Sequence, residues 1–200
     1  MSNDVTAGRR GPKAHRGELA GKVLTAARLS FAANGFAATT MQGIAREAGV
    51  DTKLVRYYFS SKEALLAECL VIPPAFVEAN HQLLELPIGE RGEAIVRGML
   101  AAWAQPPLAL ILHTSLLIAA HEPIAMDVVR RVFSEGLIPA VASDIPDAER
   151  ATRGGLISSQ MLGLAFTRFI FEVPQTVGIA DEEVVRTVGA TIQRYLNGEL

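Results

Sequence analysis

Residues 40–59, Thr40-Met-Gln-Gly-Ile-Ala-Arg-Glu-Ala-Gly-Val-Asp-Thr-Lys-Leu-Val-Arg-Tyr-Tyr-Phe59, decide the reading of this chain. Thr40 can cap a short helix from Met41 to Ala48, with Met41, Ile44, Ala45 and Ala48 facing inward. Gly49 supplies a turn that a side chain would resist. Asp51 is placed to cap a second short helix, Thr52 to Tyr58. With Ile44, Ala45, Ala48, Val50 and Leu54 expected to be buried, the pair reads as a helix-turn-helix. Its second helix would keep an outer face of Thr52, Lys53, Arg56 and Tyr57. Long donors and phenolic hydroxyls on such a face can reach phosphates and base edges. A small helical core with surface cations and no nucleic-acid role has the same pattern, so the pair alone leaves both readings open.

Upstream, Leu19, Val23, Ala27 and Phe31 recur every fourth residue and predict a helix from about Arg16 to Asn34, closed by Gly35. The first seventeen residues, with Arg9, Arg10, Lys13 and Arg16, are expected to form a mobile basic arm. Such an arm could follow the minor groove or the phosphates. Downstream, Ser60-Ser61-Lys62-Glu63 contains the S-x-x-E capping box before an apolar run. That fourth helix should kink or split at Pro73-Pro74. Further helices are expected near Glu90–Ala104, Pro106–Ala120, Pro123–Val141, Asp147–Glu172 and Asp181–Asn197, with no convincing strand alternation.

Composition narrows the classes. Among 200 residues, half are hydrophobic and one fifth charged, which excludes a disordered polyelectrolyte. The single cysteine, Cys69, excludes a disulfide framework and a four-cysteine zinc site. The N-terminus lacks the apolar stretch of a signal peptide. The greasiest run, Leu108 to Ala120, is shorter than a membrane span and contains His113, Thr114 and Ser115. A cytoplasmic protein without membrane contact is the expectation. Charge is uneven: residues 1–66 hold ten basic and five acidic residues, net +5. The remainder holds nine basic and sixteen acidic residues, net −7. A basic head on an acidic body suggests a polyanionic partner.

Residues 18–66 resemble the DNA-binding domain of the TetR family of bacterial transcriptional regulators. The resemblance rests on Ala26-Ala27, Phe31, Asn34-Gly35-Phe36, Thr39-Thr40, Ile44-Ala45, Ala48-Gly49-Val50, Tyr57, Phe59 and Ser61-Lys62-Glu63-Ala64-Leu65. More loosely, Gln160-Met-Leu-Gly-Leu-Ala-Phe-Thr-Arg-Phe169 and Gln193-Arg-Tyr-Leu196 resemble the end of one subgroup's second domain. It implies an all-α protein with a mobile arm at 1–17, a three-helix DNA-binding domain at 18–66 and a larger helical effector-binding and dimerisation domain at 67–200. It also implies phosphate contacts from Thr40 and Lys62, base contacts from Gln42, Thr52, Lys53 and Arg56, and DNA contact from Tyr57. Tyr58 is either a DNA contact or packing beneath the helix. Where the family usually carries Ser, a small residue, Tyr and His, this chain has Asp51, Lys53, Arg56 and Tyr58, so a familiar operator is not implied. Gly43, inside the first short helix, has no explanation at this level.

In the second domain the resemblance implies a ligand pocket. Its candidate residues are Trp103, His113, Leu117, Phe133, Met161, Phe166 and Arg168. It further implies a homodimer through the last two helices, with Gly154, Gly155, Ser158, Ser159 and Gly163 on one and Val184, Val185, Val188, Ile192, Tyr195 and Leu196 on the other. The expected partners are a pseudo-palindromic operator and a small-molecule effector that releases it, with no cofactor, no metal and no catalytic residue. Two alternatives stay open: a helical sensor whose basic head meets another anionic surface, and a helical enzyme using His113 or His121.

Overall fold

The computed structural model describes residues 12–136 and 145–200, with side chains for 17–133 and 145–200. Every regular element among the described residues is helical. The chain divides into two compact units, one ending at Cys69 and the other beginning at Leu70.

The first unit contains α1 (Pro12–Ala38), α2 (Met41–Ala48), α3 (Thr52–Tyr58) and α4 (Lys62–Cys69). Helix α1 starts at Pro12, inside the stretch expected to be a mobile arm; proline's fixed φ suits the first helical position. Arg9 and Arg10 of that arm lie outside the described residues. At Gly35 the helix is interrupted by a φ of 72° and ψ of 173°, a conformation closed to most side chains. Thr39 secures the corner, its hydroxyl donating to the Ser30 carbonyl at 3.1 Å and the Gly35 carbonyl at 2.8 Å.

Both short helices begin and end as expected. The Thr40 hydroxyl accepts from the Gly43 amide at 3.0 Å, and Gly49 closes α2 with a φ of 67°. The Asp51 carboxylate accepts from the Lys53 amide at 2.6 Å and opens α3. Gly43 now has a partial explanation: a Cβ there would lie 3.1 Å from the capping hydroxyl of Thr40. The expected core needs correction. Ala48, Val50 and Leu54 are only half-buried, whereas Val55 is fully enclosed, so the inward face of α3 is rotated by one residue. Val55 joins Val23, Ala27, Phe31, Ile44, Leu65 and Leu66 in the buried set of this unit. The cap of α4 also shifts by one position. Ser61, not Ser60, accepts from an amide, that of Ala64 at 3.1 Å.

The fourth helix does not run on to the prolines. It ends at Cys69, and α5 (Pro74–Glu85) begins at Pro74, with four residues, 70–73, between the two helices. Proline lacks the amide that would continue the helical ladder, but suits the first turn of a new helix.

The second unit continues through a 3₁₀ turn at Ile88–Glu90, α6 (Arg91–Trp103), α7 (Pro106–Ile118), α8 (Pro123–Gly136) and α9 (Asp147–Ala165). A π-turn (Phe166–Ile170), the short α10 (Pro174–Val177) and α11 (Asp181–Asn197) complete it. The expected extension of α8 to Val141 lies outside the described residues. Helix α9 stops short of the expected Glu172, because its ladder widens to the Phe171 amide–Phe166 carbonyl bond at 2.7 Å. Glu172 then takes a positive φ of 48° and ends the run. Short α10 was not anticipated; its four residues offer no periodicity to read.

Helix α11 is clasped into this unit at three points. Gly92 and Gly189 let α6 and α11 cross so closely that a Cβ on Gly92 would lie 2.5 Å from the Gly189 carbonyl oxygen. Beside that crossing, the Gln193 side chain accepts from the Gly92 amide at 2.9 Å and donates to the Ile88 carbonyl at 2.8 Å. At the far end, buried Arg153 pairs with Glu149 and donates to the carbonyls of Tyr195 and Gly198 at 3.1 and 2.9 Å. These last turns leave carbonyls without helical partners, and a guanidinium supplies the missing donors.

This packing corrects one assignment. Val184, Val185, Ile192 and Leu196 are buried against Ile95, Val96, Leu100 and Ile157 of the same chain. They close the protomer's own core and cannot also face a partner.

A candidate nucleic-acid face and an apolar cavity

The face of α2 and α3 follows from the caps. Two capped helices joined through Gly49 bury Ile44, Ala45 and Val55, and this leaves Gln42, Lys53, Arg56 and Tyr57 exposed on one unit. Tyr57 has 71% of its surface open to solvent, an unusual exposure for a large aromatic side chain. Among the described residues neither Lys53 nor Arg56 has an ion-pair partner, so both cations are available to an external anion. Thr52 and Tyr58 are half-buried, and Tyr58 meets the rings of Tyr57 and Phe59 at 5.5 and 6.2 Å. Thr40 is exposed, its oxygen committed to the cap while its hydroxyl proton stays available.

Lys62 is placed differently from the expectation. Its ammonium donates to the carbonyls of Phe36, Thr39 and Ala37 at 2.8, 2.9 and 3.4 Å and sits 4.2 Å from the Phe36 ring centroid. An ammonium has three donor hydrogens, and here three carbonyls at the end of α1 receive them. Lys62 is therefore an internal clasp between α4 and the α1–α2 corner, not a hand held out to phosphate. The sequence signal was present, since a cation near a helix C-terminus is a favoured arrangement.

At the end of the same unit, Arg28 donates through Nε to the Cys69 carbonyl at 2.8 Å. Burial pushes the Cys69 thiol up to about 12, with the nearby Arg28 charge opposing that shift. Such a thiol carries almost no thiolate at neutral pH, as befits a packing residue.

The second unit holds a cavity of about 120 Å³ between α5, α6, α7, α8 and α9. Of the expected ligand residues it is lined by Trp103, Phe133 and Met161. Trp103 is held by a parallel stack on Phe169, with ring centroids 4.5 Å apart. His113, Leu117, Phe166 and Arg168 do not line it. On α7 the lining residues are Leu112, Ser115 and Leu116; His113 and Leu117 are each one position farther along that helix and point off the cavity's arc. Phe166 packs at 5.5 Å against Phe171. Arg168 is spent on the chain that follows, bonding the Thr176 and Ile179 carbonyls and the Asp181 carboxylate, the last at 2.6 Å. Sequence reasoning missed Phe76, Asn80 and Leu83, because the prolines drew attention to a kink and hid α5 behind it.

The enzyme alternative gains no support from geometry. His113 is half-buried on α7 and His121 is exposed in the turn beyond it. Among the described residues no three His, Cys, Asp or Glu side chains gather as a metal site would require. No single described helix is long and apolar enough to cross a membrane, although the pair 88–103 and 106–118, bent by 99°, reaches that length and composition together.

A helix-turn-helix that presents unpaired cations, joined in one chain to a helical unit with an apolar cavity, defines a helix-turn-helix regulatory protein. The chain belongs to the tetR family of bacterial regulatory proteins. Residues 23–69 match the family's N-terminal model, and residues 89–196, over half the chain, match the tetracyclin repressor-like C-terminal domain. Among solved structures it is similar to a TetR-family regulator from Streptomyces coelicolor A3, at 26% identity over 94% of this chain and 99% of that one, with a TM-score of 0.61. It shares its fold with NalD, the secondary repressor of the MexAB-OprM multidrug efflux pump in Pseudomonas aeruginosa, at 19% identity, 94% and 100% coverage and a TM-score of 0.70. The fold also matches SmeT in complex with triclosan, at 15% identity, 88% and 90% coverage and a TM-score of 0.65. No curated protein sequence matches the chain.

Proposed function

We propose that this protein is a transcriptional repressor that binds a pseudo-palindromic operator as a homodimer and leaves it when a small apolar molecule fills the cavity of its second unit. The observation that carries the reading is the capped α2–α3 pair with Lys53, Arg56 and Tyr57 exposed on one face. Gln42, Thr52, Lys53 and Arg56 are assigned to base edges, Thr40 and Tyr57 to the backbone, and Tyr58 chiefly to packing. Membership of a family of regulators and the repressor NalD among its fold relatives support repression. SmeT with bound triclosan supports an apolar effector. Release then requires only that ligand and operator favour different forms of the dimer.

The dimer would use what α9 and α11 leave outside. Gly155, Ser159 and Gly163 on α9 and Thr187, Ala190 and Thr191 on α11 are exposed and small, so partner helices can approach closely. Arginine at Gly163, where nothing stands within 4 Å of an added Cβ, should separate the protomers in sedimentation without unfolding them. The function itself is tested by gel shift on the promoter region beside the protein's own gene. Binding that survives excess random DNA and takes two heads per palindrome is expected. Equal affinity for random DNA would overturn it.

A further inference from the structure

Resting on the reading of the cavity as the effector site, we infer that its ligand is an uncharged, single-ring-sized molecule bearing one hydrogen-bonding group, and that Asn80 is the residue that reads this group. Three observations converge on that chemistry. The volume of about 120 Å³ is close to that of an apolar cavity that accepts one benzene ring. Among the described residues no Asp, Glu, Lys, Arg or His lines the cavity, so a carboxylate or ammonium would leave water without a counter-charge from them. Among the described residues three lining side chains carry a hydrogen-bonding group: Asn80, Ser115 and the indole N–H of Trp103.

Those three are not equivalent: the Trp103 indole can only donate, whereas an amide both donates and accepts. The Ser115 hydroxyl donates to the Ile111 carbonyl of its own helix at 2.8 Å and has only acceptor capacity left. The Asn80 amide has no hydrogen-bond partner among the described residues, and it is half-buried, so solvent still serves it when the cavity is empty. A ligand that fills the cavity strips that solvent away. One with a hydroxyl or carbonyl opposite Asn80 replaces the lost bonds; a pure hydrocarbon leaves the amide unpaired. Asn80 thereby discriminates between ligands of equal shape.

Trp103, the chain's single tryptophan, lines the same cavity and reports its filling by fluorescence. The full-length protein is titrated with p-cresol, toluene and 4-methylbenzoate, which share one ring and differ in the polar group. Saturable binding of p-cresol is expected, roughly tenfold tighter than toluene, with 4-methylbenzoate weaker than both. In Asn80→Leu the p-cresol advantage disappears while toluene still binds, which also shows that the variant is folded. Should that variant fail to fold, Asn80→Ala carries the same expectation. Ser115→Ala keeps the p-cresol advantage. Tight binding of 4-methylbenzoate, an advantage untouched by both Asn80 variants, or no binding of any probe overturns the inference. If p-cresol binds as described but leaves promoter affinity unchanged, the repressor-release reading fails and this one stands. If p-cresol releases promoter DNA and the Asn80 variants keep its advantage over toluene, the reverse holds.

Discussion

The ammonium of Lys62 lies 4.2 Å from the Phe36 ring centroid and donates to that residue's own carbonyl at 2.8 Å. One side chain at the start of α4 thus satisfies the backbone that leaves α1, and stacks its charge on a ring that itself packs at 5.7 Å on Phe31. Lys62→Met should lower the stability of the first unit by about 1–2 kcal/mol, the worth of charge-assisted bonds in a half-buried setting. It should also leave the slope of operator affinity against salt unchanged, since the ammonium releases no counterion. A slope reduced by about one would return Lys62 to the phosphate contacts.

Arg56 and Lys53 should behave in the opposite way. Arg56→Ala is expected to relax base preference at particular operator positions, costing about 1–3 kcal/mol on the specific site for a bidentate contact. Thermal stability should hardly change, because the side chain is exposed and unpaired. Affinities measured on specific and random DNA decide: equal losses on both would make Arg56 a phosphate contact.

Gly189→Ala should destabilise the second unit by roughly 1–3 kcal/mol, despite alanine's better helix propensity. Its Cβ would stand 2.9 Å from the Glu93 Cα, a backbone atom that cannot swing aside. Gly155→Ala on α9 meets nothing within 4 Å and should gain a few tenths to ~1 kcal/mol in the separated protomer. Denaturant midpoints of the two variants, measured in parallel on the Gly163→Arg background that separates the protomers, should therefore move in opposite directions.

Cys69 predicts an alkaline weakness. Its thiol titrates near 12 in the folded chain, raised from 9.0 by burial. Below pH 9 both folded and unfolded thiols are protonated and the contribution to stability is complete. Between about 9 and 12 the unfolded chain loses its proton first, so stability falls as pH rises. Cys69→Ala should remove that part of the alkaline loss, seen as a shallower decline than wild type. At neutral pH the native thiol should react with a thiol reagent only as fast as the unit opens.

Local patterns carried much of this protein in plain sight. Thr40, Gly49 and Asp51 delimit α2 and α3 because capping and positive φ are properties of single residues and their immediate neighbours. The same holds for Pro106 and Pro123, which begin α7 and α8 as their missing amides require. The all-α class and the exposed face of Lys53, Arg56 and Tyr57 followed from spacing in the same way.

Contacts between distant residues were beyond that reach. Lys62 could be told from a phosphate ligand only once the carbonyls of residues 36–39 were seen around it. Arg168 looked like a polar fixer in an apolar helix until the chain turned back at Thr176 and Ile179 to occupy it. The valines of α11 form an apolar stripe, and amphipathicity shows that a face is buried, not against what; Ile95 and Val96 of α6 already cover it. Asn80 had no mark in the sequence, since one polar residue on a short helix is ordinary until five helices leave a cavity beside it. Sequence reports what each residue can do alone and within a turn or two, while partners brought together by folding determine which of those abilities remains free.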